Sequence, residues 1–327
     1  MKSDFDKYSG VYGKMDKNSK IFIAGHRGMV GSAIERKFRS NGFTNLLTRT
    51  HCELDLSDSK MVKEFFDREN PDYVVVAAAK VGGIMANNTQ PVEFLLQNLS
   101  IQNNVITEAW KHNVKKLCFL GSSCIYPAHA QQPIKEEYLL TGSLEPTNEA
   151  YALAKIAGYK LCCYLSKEYG FNTISLMPCN LYGTNDNYHP QNSHVFPAFI
   201  RKFVEGVRND EPEITLWGTG TPLREFMHVD DVADAVVYFM ETHNDPDIIN
   251  IGYGSDITIR ELAEKIAAAA GYRGKIVWDS SKPDGMYRKL MDSSKAQRLG
   301  WSPKISLEDG IARTVKEFSE SRDFRGQ

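Results

Sequence analysis

Tyr151 and Lys155 stand four residues apart in a stretch of helical periodicity from Ala150 to Tyr169. Residues at that spacing share one helix face about one turn apart, and an ammonium so placed is expected to lower the pKa of the phenol. Such a pair makes a proton donor for a substrate oxygen. Upstream, an apolar strand ending at Leu120 runs into Gly121-Ser122-Ser123-Cys124-Ile125-Tyr126-Pro127. Its hydroxyls fall at the carboxyl edge of a parallel sheet, where open α/β sheets bind ligands, and Ser122 is suited to hydrogen-bond a carbonyl. A Tyr-x-x-x-Lys spacing alone marks a solvated helix face more often than a site. The serine-rich strand end and a third motif give it weight.

That third motif is Gly25-His26-Arg27-Gly28-Met29-Val30-Gly31, between a first strand and a first helix. Glycines there let the backbone approach a pyrophosphate at a helix N-terminus, so the segment reads as a dinucleotide site, with G-x-x-G-x-x-G spacing in place of G-x-G-x-x-G. The end of the second strand reads Leu47-Thr48-Arg49-Thr50-His51, with no carboxylate for a ribose 2′-hydroxyl. With Arg27 and Arg49, a 2′-phosphate meets two guanidiniums, and NADP(H) is the expected cofactor. The alternative for both arginines is a solvated surface charge.

These motifs need a scaffold, and the chain supplies an alternating one. Strand-like Ile21 to Ala24, Leu46 to Thr48, Tyr73 to Ala79, Leu117 to Leu120 and Thr173 to Met177 alternate with helix-like Met29 to Arg39, Lys60 to Arg68, Val92 to Trp110 and Ala150 to Tyr169. The pattern predicts an α/β fold, a doubly wound parallel sheet of Rossmann type. Past Leu181 the alternation is less even. Helices are expected at Pro197 to Arg208, Val232 to Thr242, Ile259 to Ala270 and Leu307 to Ser319, with strands near Ile214 to Trp217, Ile248 to Ile251 and Lys275 to Trp278. The organisation expected is a tail over 1–19 and a dinucleotide-binding domain over 20–181, rejoined by about 226–252. A smaller α/β substrate domain takes 182–225 and 253–327. The loop from Tyr182 to Val195, dense in Asn, His, Tyr and Pro, suits a binding surface.

The 327 residues are 42% apolar, enough for a sizeable core. With 39 Lys and Arg against 41 Asp and Glu, nothing marks a nucleic-acid or membrane-surface binder. No apolar run approaches the ~20 residues of a membrane span, and the first 19 residues lack the apolar core of a signal peptide. The six cysteines lack C-x-x-C spacing, which points away from a metal site or a disulfide framework and toward a reducing, cytoplasmic setting.

Longer strings share a pattern. They are I-A-G-H-R-G-M-V-G-S-A-I from Ile23, A-A-A-K-V-G-G-I from Ala77, L-G-S-S-C-I-Y-P from Leu120 and L-E-P-T-N-E-A-Y-A-L-A-K-I-A-G from Leu144. N-L-Y-G from Asn180, H-P-Q-N-S-H-V from His189, W-G-T-G-T-P-L-R-E-F-M-H-V-D-D from Trp217 and S-K-P-D-G from Ser281 continue it. With these the chain resembles the short-chain dehydrogenase/reductase superfamily, in the extended branch that acts on nucleotide sugars, over roughly Lys20 to Gly326. The resemblance implies NADPH-dependent 3,5-epimerisation and 4-reduction of GDP-4-keto-6-deoxy-D-mannose to GDP-L-fucose, by a homodimer. It places the Ser-Tyr-Lys set on Ser122, Tyr151 and Lys155, and an epimerisation acid and base on Cys124 and His194. Beyond the glycine turn and Arg49, it implies cofactor contacts at Leu120, Gly121, Ser122, Ser123, Lys155, Pro178, Cys179, Asn180, Leu181 and His194. For the GDP-sugar it implies Lys202, Trp217, Arg224 and Asp284, although Lys202 stands where the family pattern has an arginine and lacks the bidentate fork.

The chemistry agrees with that assignment. Protons beside a 4-keto group are acidic because the carbanion is an enolate, and donors that polarise the carbonyl for hydride attack also stabilise the enolate. Epimerisation further needs a base on one face and an acid on the other, for which thiol and imidazole pKa values are suited. Cys124 is otherwise core filler and His194 a structural histidine. Trp217 either stacks on guanine or fills a second core. Arg224 meets either the pyrophosphate or the acidic pair Asp230 and Asp231, which is expected to cap the following helix. His228 reads as structural. Val92 to Trp110 and Ala150 to Tyr169 are the helices expected to pair across a two-fold axis. Two other functions remain open: a nucleotide-sugar 4-reductase or epimerase without the double epimerisation, and a non-catalytic NADPH-sensing protein.

Overall fold

The computed structural model describes residues 15–190, 193–282, 284–321 and 324–325. In its first half the order is β1 (Ile21–Ala24), α1 (Met29–Ser40), β2 (Leu46–Leu47), α2 (Ser59–Glu69), β3 (Tyr73–Val76), α3 (Ile84–Thr89), α4 (Pro91–Lys111), β4 (Lys116–Leu120), α5 (Glu149–Tyr169) and β5 (Thr173–Pro178). There follow β6 (Asn180–Tyr182), α6 (Val195–Arg208), β7 (Glu213–Trp217), β8 (Leu223–His228), α7 (Val229–Thr242) and β9 (Ile249–Ile251). The chain closes with β10 (Asp256–Thr258), α8 (Ile259–Ala270), β11 (Lys275–Asp279), β12 (Arg288–Lys289), α9 (Ser294–Arg298) and α10 (Leu307–Glu320).

β1, β3, β4 and β5 are buried along their whole length, because helices cover both faces of the sheet they form. That sheet runs β2-β1-β3-β4-β5-β9 with every pairing parallel. α1 packs on α7 in one helical layer, and α4 packs on α2 and α5 in the other. The direction of winding reverses between β1 and β3, and the crevice outside their carboxyl ends is where such sheets hold ligands. One buried charge ties the layers together. The Lys116 ammonium donates to the carbonyls of Met240 and His243, both at 2.7 Å, at the C-terminus of α7. Cations suit that end of a helix, although burial brings this pKa down to about 8.

Beside this sheet, β8 carries β6 and β12 in parallel and β10 antiparallel, while β7 pairs with β11. α6, α8 and α10 enclose a separate aromatic core that includes Tyr182, Phe196, Phe203, Phe226 and Phe318. Among the described residues no helix is long and apolar enough to cross a membrane.

Of the tail expected over 1–19, residues 1–14 lie outside the described residues. Met15 and Ser19 are buried, and the Lys17 ammonium lies 3.8 Å from the centre of the Phe43 ring. Residues 15–19 therefore belong to the packed molecule, which corrects that boundary. β6, β8, β10, β12, α3 and α9 have no counterpart in the sequence pattern. β8 reads Leu-Arg-Glu-Phe-Met-His, where buried charge hides a strand, and the others are too short to show a period.

Candidate active site

Gly25 has φ +91°, and a Cβ on it would lie 2.7 Å from Ala78 Cα at the end of β3. A Cβ on Gly31 would lie 2.1 Å from Gly25 O. Side chains at either position would fill the turn and push the chain out of the crevice. No acidic residue occupies the first turn of α1, and Gly28 precedes it without a side-chain cap, so its N–H groups face an anion-ready space. This cradle fits a dinucleotide pyrophosphate. Asn185 ties the later loop to it by donating to Arg27 O at 2.9 Å.

Arg27 is exposed and makes no ion pair among the described residues. Arg49 differs: its guanidinium pairs with Glu69 at 2.8 Å, donates to Thr48 O at 2.7 Å and lies over the Phe65 ring. A 2′-phosphate would have to compete with Glu69 for it. Glu53 folds back to accept from Thr50 N–H at 2.7 Å, and both arginines act on its charge.

β4 delivers Leu120 to the crevice, and the Lys155 ammonium donates to Leu120 O at 2.8 Å from its buried place on α5. Its charge lies 5.9 Å from the centre of the Tyr151 ring, so the two share a face as their spacing requires. The net shift of the phenol is upward, against the acidification expected from its neighbour. Burial pushes the Tyr151 pKa up and the nearby Cys124 pushes it further, while burial lowers that of Lys155 to about 8. Desolvation of the phenolate outweighs an ammonium already engaged by a carbonyl. Ser122 Oγ accepts from Cys124 N–H at 3.3 Å at the start of a single 3-10 turn, Ser123–Ile125. Cys124 is 7% exposed, and burial raises its pKa above the ordinary value, with Lys289 and Lys155 pulling the other way.

Cys124, Tyr151, Lys155 and Lys289 thus form one electrostatic cluster. His194 immediately precedes α6, with part of the residue reaching solvent, and the protein packed around its ring lowers its pKa. Pro178 ends β5, Cys179 links it to β6, and Asn180 and Leu181 open β6, where Asn180 Nδ2 donates to Glu225 O at 2.8 Å.

On the substrate side, Lys202 donates to Thr215 O at 2.9 Å, and burial lowers its pKa. Trp217 is 68% exposed at the end of β7, which excludes the core-filling alternative. Asp284 accepts from Thr219 N–H at 2.9 Å and from Thr219 Oγ1 at 2.6 Å, and its charge acts on Arg224. Arg224 does not meet Asp230 or Asp231. Asp230 pairs with Arg36 at 2.9 Å, and Asp231 accepts from the N–H groups of Lys304 and Ile305, both at 3.0 Å. Nor do these acids cap α7: His228 Nδ1 does, accepting from Asp230 N–H at 3.2 Å.

The profile of the NAD dependent epimerase/dehydratase family matches residues 21–252, more than half of the chain. The chain belongs to that family. Over 306 residues it is 58% identical to GDP-L-fucose synthase 1 of Arabidopsis thaliana, covering 94% of this chain and 95% of that one. Over 317 residues it is 52% identical to GDP-L-fucose synthase of Escherichia coli, covering 94% and 99%. Among solved structures it is similar to MlghC, a GDP-mannoheptose C4 reductase from Campylobacter jejuni with NADP bound, at 40% identity, TM-score 0.86 and coverage of 93% and 99%.

For a family member built this way, the crevice brings together a neutral phenol, a buried ammonium, a serine hydroxyl and a thiol beside a dinucleotide cradle. Sequence reasoning missed Lys289, which acts on both Cys124 and Arg224. It sits on a two-residue strand with no periodicity, and its only signal was its place five residues after Asp284. A cavity of about 520 Å³ opens between α1 and α10; Asn185 lines it, and none of the expected catalytic or ligand-binding residues does.

Proposed function

We propose that this protein is an NADPH-dependent epimerase-reductase that converts GDP-4-keto-6-deoxy-D-mannose to GDP-L-fucose. The observation that carries the reading is the cluster of Cys124, Tyr151 and Lys155 at the end of β4, in a chain 58% identical to a GDP-L-fucose synthase. When bound, NADPH supplies the hydride. The chain's own groups do the rest. Ser122 and Tyr151 donate hydrogen bonds to O4. Cys124, as thiolate, removes a proton beside the keto group, and the electron pair moves onto O4 as an enolate. His194, protonated, returns a proton to the opposite face, inverting the carbon. After hydride reaches C4, Tyr151 gives its proton to the alkoxide. Its raised pKa suits this role, because the phenol stays protonated until the oxygen becomes basic.

Lys202, Arg224 and Asp284 with Trp217 form the GDP-sugar side, cation to pyrophosphate and indole to guanine. Gly25 to Gly31 with Arg27 and Arg49, the Leu120–Ser123 segment and Pro178–Leu181 form the NADPH side. The active unit is a homodimer joined by α4 and α5, whose exposed Val92 and Leu96 lie one turn apart and Leu153 and Tyr164 three turns apart. Six unpaired cysteines fit a cytoplasmic setting.

A second reading, a 4-reductase without epimerisation, is favoured by the raised thiol pKa and the lowered His194 pKa, which oppose the charged forms that epimerisation uses, and by the likeness to a C4 reductase. Product stereochemistry from GDP-4-keto-6-deoxymannose and NADPH decides between them. GDP-L-fucose supports the first reading; a product keeping the manno configuration at the neighbouring carbons supports the second.

A further inference from the structure

Asn250 lies at the centre of β9, fully buried between two isoleucines. A carboxamide in such a place needs partners for both its oxygen and its two N–H groups. Asn250 Oδ1 accepts from the Tyr126 hydroxyl at 2.6 Å. Its Nδ2 donates to Ile134 O at 3.0 Å and Asp292 O at 3.2 Å, and its backbone N–H donates to Glu136 Oε1 at 3.0 Å. One side chain therefore clamps three segments that are remote in sequence.

Two of those segments bear on the reacting groups. The 3-10 turn that carries Cys124, Ser123–Ile125, is flanked by Ser122 before it and Tyr126 after it, the latter 3% exposed. The Ile134 segment is bonded to the chain just after β12, with Ile134 N–H donating to Leu290 O and Asp292 N–H donating to Ile134 O, both at 2.8 Å. Lys289, whose charge acts on Cys124, immediately precedes Leu290. The hydride-transfer groups have other anchors. Gly121 N–H donates to Leu176 O at 2.9 Å, extending the β4–β5 ladder up to Ser122, and Lys155 holds Leu120 O.

We propose that Tyr126 and Asn250 are positioning residues for proton transfer. Their hydrogen bond sets the Cys124 thiol relative to Lys289 and the sugar, and hydride transfer is aligned independently through β4, β5 and α5. This inference rests on the epimerase-reductase reading. It predicts a separable effect: displacement of the thiol by a fraction of an ångström slows carbon deprotonation and leaves the Tyr151 and Lys155 geometry in place.

The test measures two rates in wild type and Tyr126→Phe. One is deuterium incorporation from heavy water beside the keto group of GDP-4-keto-6-deoxymannose, without NADPH turnover. The other is reverse hydride transfer from GDP-L-fucose to NADP⁺, which also reports that the variant is folded and binds both ligands. Tyr126→Phe is expected to lower exchange by about tenfold or more while hydride transfer changes by less than about threefold. The double variant Tyr126→Phe with Asn250→Leu removes the orphaned amide oxygen, and its ratio of exchange to hydride transfer is expected to stay low. Recovery of that ratio, or an equal fall of both rates in Tyr126→Phe, means that the pair only stabilises the core and overturns the proposal. Normal wild-type exchange with undiminished exchange in Tyr126→Phe overturns it alone. Absence of exchange in wild type overturns the epimerase reading, and this inference with it.

Discussion

At the scale of single residues the site runs on protons held by burial. The Tyr151 phenol stays neutral, and Tyr151→Phe is expected to lower reduction by roughly two to four orders of magnitude while NADPH still binds, read by single-turnover absorbance and a binding titration. Cys124 is a base only as thiolate, and burial raises its pKa, so the exchange rate should climb with pH and go on climbing past the ordinary thiol pKa of about 8.5. Cys124→Ser should abolish that climb. A flat profile in wild type would assign the base to another group. Arg27 is the exposed guanidinium of the glycine turn, whereas Arg49 is paired with Glu69. A charge-assisted contact of about 1.5–3 kcal/mol implies at least a tenfold preference for NADPH over NADH, which Arg27→Ala should largely erase in kcat/KM comparisons.

At the scale of elements, one buried carboxylate holds the substrate-side strand in register with its surroundings. Glu225 on β8 accepts from Gly254 N–H at 2.8 Å and Met291 N–H at 3.1 Å, and burial raises its pKa to about 7. The unfolded chain releases that proton near 4.5, so the folded state binds more protons between 4.5 and about 7. This contribution to stability is complete below 4.5 and is lost as pH rises through about 7. Glu225→Gln cannot ionise. Its stability relative to wild type should therefore improve between about pH 5 and about pH 8, as read by urea unfolding at each pH. A constant difference would mean that the carboxylate stays ionised throughout.

For the whole molecule, α4 and α5 pack side by side and leave Leu96 57% and Tyr164 60% exposed. Scattered apolar side chains are ordinary on a surface, but rows at helical spacing on two neighbouring helices suit a second copy. Replacing both residues by Glu should shift sedimentation from dimer to monomer. Unchanged dimers would place the contact on another face.

The glycine turn, the phenol and ammonium one turn apart, and the serine-rich strand end were all legible in one dimension. Each lies within a few residues of chain, where spacing and local geometry are coupled. The parallel sheet was legible for a related reason, since strands covered on both faces are apolar throughout. Lys289, the clamp through Asn250 and the exposure of Trp217 were not legible, because each depends on remote segments meeting: β8 with β12, Tyr126 with β9, and β7 with β11. Protonation followed the same division. Spacing alone implied an acidified tyrosine, but a pKa depends on how much water and how many charges remain around the group once folded, and here desolvation prevailed.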